Sequence, residues 1–89
     1  MNTEKRTVER IQTGVRLEKS MLKVLRSLAE YLDISLGDLL EGIVLHAFEG
    51  RSAFAGKPEL LDTIERLKQV YGMDFGAEAA HRMIDGEEK

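Results

Sequence analysis

One stretch of this chain alternates with a period of two. In Arg10–Leu17 the residues Ile11, Thr13, Val15 and Leu17 fall on one side, and Arg10, Gln12, Gly14 and Arg16 on the other. That is the pattern of a strand with one buried and one wet face. No second strand is legible in the chain, and a lone strand leaves a row of backbone N–H and C=O groups without partners. It must therefore pair with another molecule. The simplest closed solution is an antiparallel two-stranded ribbon across a two-fold axis, one strand from each copy. The expected dimer interface is Ile11, Thr13, Val15 and Leu17, joined by Leu25, Leu39 and Ile43 from the helices that follow.

After Lys19 the period changes. Met21, Leu22, Leu25, Leu28, Ala29 and Leu32 recur at three and four, which predicts an amphipathic helix opening near Glu18–Ser20 and closing near Asp33. Ser35 followed by Asp38 resembles a capping box with a shortened acid. It starts a second helix with the stripe Leu36, Leu39, Leu40, Ile43, Val44, Ala47 and Phe48, closed by Gly50. A loop follows with an exposed-looking aromatic, Phe54. Pro58 restarts a helix faced by Leu60, Leu61, Ile64, Leu67, Val70 and Tyr71, with Asp62 and Arg66 as an i,i+4 pair outside that face and Gly72 as its end. A short fourth helix is expected from Phe75 or Gly76 to Ile84, and the acidic stretch after it should fray.

With 89 residues, 43% hydrophobic and 33% charged, the chain has the size of one small domain, which excludes a multidomain enzyme. A chain this short buries only about 60–65% of its unfolded surface, so association is the expected further source of stability. The absence of cysteine removes disulfides, Cys-based zinc sites and thiol nucleophiles together. No apolar run approaches the roughly 18 residues of a membrane span, so no membrane partner is expected and the expected location is the cytoplasm.

The glycine-rich stretch 50–58 has five residues between its glycines where a phosphate-binding loop needs four, and Pro58 where such a loop needs Ser or Thr. It reads as a linker. His46 and His81 lie in different predicted helices without metal-ligand spacing, and no nucleophile is paired with a base. The expectation is therefore no metal, no cofactor and no enzymatic activity.

The charge is polarised behind a net value of −3. Residues 1–27 sum to +4, residues 28–50 to −5 with no Lys or Arg, and the remainder to −2. A basic first third can offer one positive face to a polyanion. A two-stranded ribbon fits the DNA major groove, where Arg10 and Arg16 can bond guanine O6 and N7 and Gln12 can bond adenine N6 and N7. The free amides at Ser35, Leu36 and Gly37 can hold a phosphate, and Lys19 and Lys23 at the start of the first helix can reach phosphates beside the groove.

The succession Ile11-Gln12-Thr13-Gly14-Val15-Arg16-Leu17, helix to Leu32, turn Asp33-Ile34-Ser35 and helix to Phe48 resembles the ribbon-helix-helix (Arc/MetJ/CopG-like) DNA-binding family over about Val8 to Phe48. The resemblance implies that the ribbon's outward residues read bases, here Gln12 and Arg16 with Gly14 between them. It also implies that Ser35 with the amides of Leu36 and Gly37 grips phosphate. The expected fold is mainly α, a ribbon-helix-helix with an intermolecular two-stranded antiparallel ribbon and a C-terminal helical extension. Its expected parts are a flexible arm over 1–9, the dimerisation and DNA-binding domain over 10–50, a linker over 51–57, the helical extension over 58–84 and a tail over 85–89. The expected function is a homodimeric, sequence-specific DNA-binding transcriptional regulator, a repressor by occlusion of a promoter, with double-stranded DNA as partner. Higher oligomers through the C-terminal helices and a cognate protein partner stay open. So do two alternatives: the antitoxin of a toxin–antitoxin pair, and a dimeric interaction module without DNA binding.

Overall fold

A computed structural model describes residues 5–86. Residues 1–4 of the expected arm and 87–89 of the expected tail lie outside the described residues. The fold is mainly α: three α-helices, α1 (Lys19–Leu32), α2 (Leu36–Phe48) and α3 (Pro58–Tyr71), and no strand among the described residues.

The helix ends follow from local chemistry. The Glu18 carboxylate caps α1 by accepting from the amide of Met21 at 2.8 Å and from the Ser20 hydroxyl at 2.7 Å. Ser35 caps α2, its Oγ accepting from the amide of Asp38 at 3.0 Å. All three helices close the same way, with a left-handed residue after the last turn and its successor's N–H reaching back six residues inclusive. Ile34 N–H donates to Ala29 O past Asp33, Arg51 to His46 O past Gly50, and Met73 to Lys68 O past Gly72. Asp33 does at φ 58° what glycine does at the other two ends, which a short polar side chain tolerates.

The core forms where α1 packs against both α2 and α3, most extensively against α3. Leu28, Ala29 and Leu39 are its buried centre, and Leu25, Leu32, Ile43, Phe54, Leu60, Ile64 and Leu67 pack around them. Phe54 thus folds back from the loop to cover the α1–α2 seam, because an aromatic ring over an otherwise open core removes more apolar surface from water than the loop loses in freedom. The expectation of an exposed Phe54 is corrected accordingly.

The α3 stripe divides. Leu60, Ile64 and Leu67 face the core, while Leu61 and Val70 are exposed and Tyr71, at the edge, shares a 2.9 Å hydrogen bond with the Ser27 hydroxyl. The ion pair on this helix joins Lys68 to Glu65 at 3.8 Å, not Asp62 to Arg66.

The expected fourth helix over 75–84 is a single 3-10 turn, Ala77–Ala79. Its start is held by the Glu78 carboxylate, which accepts from the amide of Gly76 at 2.8 Å and is itself kept below the usual carboxylate range mainly by that bond. Continuation is blocked because Ala80 is already extended (ψ 131°) and His81 turns left-handed at φ 66°. Alanine propensity alone does not extend a helix whose next residues bury nothing.

Candidate nucleic-acid interface

Residues 5–17 are exposed and carry no helix or strand, and they run without ladder hydrogen bonds into the Glu18 cap of α1. Their apolar residues have little cover among the described residues: Ile11 is 83% exposed, Val15 75% and Leu17 38%. Thr13 is exposed as well. The other residues assigned to the dimer interface differ. Leu39 is buried within one chain, and Leu25 and Ile43 are half-buried against it. Their burial therefore needs no second copy.

The segment lies beside the start of α2. Arg10, Ile11, Gln12, Thr13 and Val15 line one open groove with Ser35, Gly37, Asp38, Leu40 and Glu41. The geometry thus brings two of the three expected base-reading residues next to the expected phosphate grip. Ser35 Oγ is used as an acceptor in capping but keeps its own O–H to donate, and the first-turn amides of Leu36 and Gly37 have no intrahelical acceptor. Three carboxylates, Glu9, Asp38 and Glu41, line the same groove. The remaining expected phosphate contacts lie elsewhere. Lys19 and Lys23 border a separate hollow with Ser20, Tyr71 and Asp74, and the Lys23 ammonium sits 5.9 Å from the centroid of the Tyr71 ring.

The three side chains expected to read bases are not equivalent. Arg10 is held by two parallel bonds to Glu41 of α2, Nε to Oε2 at 3.0 Å and Nη2 to Oε1 at 2.9 Å. The Arg10 guanidinium in turn holds the Glu41 carboxyl below the usual carboxylate range, its hydrogen bonds contributing most. Arg16 makes one bond, Nη2 to Oδ2 of Asp85 at 2.6 Å, and both side chains are otherwise open to water. Gln12 is exposed, and Gly14 meets nothing within 4 Å of the place a Cβ would take. Sequence reasoning identified the two arginines but missed Glu41 and Asp85. Separations of 31 and 69 residues carry no local signal that could have found them.

Elsewhere, His46 bonds its own helix, Nδ1 donating to the carbonyl of Gly42 at 2.7 Å. Among the described residues no three His, Asp or Glu side chains converge on a common point, and no helix is long and apolar enough to cross a membrane. Comparison with known proteins finds no matching family model, no matching characterised protein and no matching solved structure.

Proposed function

We propose that this chain is one protomer of a ribbon-helix-helix homodimer that binds double-stranded DNA sequence-specifically and acts as a transcriptional regulator, a repressor by promoter occlusion. The observation that carries this reading is the irregular, exposed segment 10–17, whose apolar residues Ile11 and Val15 lie bare beside the free amides that open α2. A second copy that pairs with this segment satisfies its backbone and covers those side chains in one step. The shape is consistent with a half-assembled unit. The radius of gyration is 14.9 Å, against about 12 Å for a compact chain of this length.

In the ribbon, Gln12 and Arg16 present the readable edge, duplicated by symmetry, and Ser35, Leu36 and Gly37 contact phosphate. Arg10, gripped by Glu41, ties the ribbon to α2 and reads a base only after exchanging that carboxylate for it.

A second reading draws on the stretch from Met73 to Gly86. It has one 3-10 turn, and Met83 (49% exposed) and Ile84 (93%) lie open. An open stretch of this kind is what an antitoxin uses to wrap its toxin.

Selection of bound duplexes from a random pool tests the first reading. The wild type should enrich one palindromic site, and Arg16→Ala should lose discrimination at the guanine positions by about 1–3 kcal/mol per bidentate contact while remaining helical. The same preference in both proteins contradicts base reading by Arg16, and no enrichment by the wild type contradicts sequence-specific binding and favours a dimeric interaction module.

A further inference from the structure

We propose that Asp85 is a built-in competitor for DNA: it occupies the Arg16 guanidinium in the free protein and must be displaced when Arg16 meets a base or a phosphate. This inference rests on the DNA-binding reading and adds a regulatory contact to it.

Among the described residues there are four ion pairs. Two are local, Arg51 with Glu49 and Lys68 with Glu65. The two long-range pairs, Arg10 with Glu41 and Arg16 with Asp85, both hold arginines of the segment 10–17. Carboxylates drawn from distant parts of the chain are thus placed on both guanidinium groups assigned to base reading.

The two pairs differ in how firmly they hold. Glu41 sits in the second turn of α2 and binds Arg10 through both oxygens, so release costs two aligned charge-assisted bonds made from a rigid element. Asp85 lies in irregular chain with neither helix nor strand around it and binds through one oxygen, with the Arg16 and Asp85 side chains 88% and 79% exposed. An exposed single pair of this kind is weak and screened by salt. It is therefore releasable: strong enough to tax binding, too weak to prevent it. The duplex offers a line of phosphates and a bidentate base edge against one carboxylate, so displacement favours DNA at the correct site more than at random sites, where the base contact is missing.

The test is a double-mutant cycle on the full chain, titrating the selected duplex and a scrambled one with wild type, Asp85→Asn, Arg16→Ala and the double variant over a salt series. Asp62→Asn, at an exposed position of α3, is the control for an equal change in net charge. Asp85→Asn should tighten binding by about two- to fivefold per copy at low salt, more than Asp62→Asn does. The gain should shrink as salt rises and vanish in the Arg16→Ala background. Equal affinities of wild type and Asp85→Asn overturn the proposal, and so does a gain that persists without Arg16 or is matched by Asp62→Asn. Absence of duplex binding by all four proteins overturns the DNA-binding reading itself, and the competitor with it.

Discussion

In the helical unit Leu28 is 2% exposed, while in the segment 10–17 Ile11, no less apolar, is 83% exposed. Both belong to regular apolar patterns, one with a helical period and one with a strand period. The helical pattern closes on itself because α1, α2 and α3 lie within one chain and a helix satisfies its own backbone. The strand pattern cannot, because its hydrogen bonds and its covering surface must both come from another strand. The difference separates what this chain covers by itself from what it leaves open to water. The second half of α2 resembles the segment: Val44 and Phe48 are exposed although their stripe is continuous with buried Leu39, and Leu45 outside that stripe is exposed as well.

The contrast is broken most forcefully by paired substitutions. Val15→Asp should cost several kcal/mol of dimer stability by placing an unpaired charge in the apolar side of each strand, leaving a helical monomer. Leu28→Ala should instead cost about 2–5 kcal/mol of the helical unit itself and lower helicity in monomer and dimer alike. Sedimentation combined with circular dichroism separates the two outcomes, and a Val15→Asp protein that remains fully dimeric refutes the division of roles.

A smaller effect sharpens it on the helical side. Ser35→Ala removes the oxygen that accepts from the Asp38 amide and should cost about 1 kcal/mol in a urea titration without changing oligomeric state.

The smallest effect concerns the joint between the regions. The Glu41 carboxyl titrates below its ordinary value because of Arg10, and Glu18 is lowered as well, chiefly by the Ser20 hydroxyl. A carboxyl depressed in the folded state contributes its stability fully above its unfolded value, near 4.5, and loses it as pH falls through the lower folded value. Acidification below that point should therefore weaken the fold, and Glu41→Gln should flatten part of the profile. Identical urea midpoints for the two proteins across the acid range would contradict the clamp.

Much of the helical unit is legible in the sequence because its determinants are local. Period, caps and breakers place α1, α2 and α3, and Asp33, Ser35, Gly50 and Gly72 mark their ends where the structure has them. What escapes is set by distance. The inward turn of Phe54 depends on a core assembled from three helices, and the failure of residues 75–84 to form a helix depends on there being no surface for it to bury. In the candidate interface, the residue types on the outward side of the strand can be read directly, but the carboxylates that hold Arg10 and Arg16 come from α2 and from residue 85, with no sequence spacing to announce them.

In the proposed dimer, residues 10–17 pair with the same residues of a second copy. An isotope-filtered NMR experiment on a mixed labelled and unlabelled dimer measures this directly. Intermolecular backbone contacts centred on Thr13–Val15 in antiparallel register are expected, with slowed amide exchange at alternate positions. A monomer at the same concentration, with residues 10–17 exchanging as fast as free chain, would contradict it.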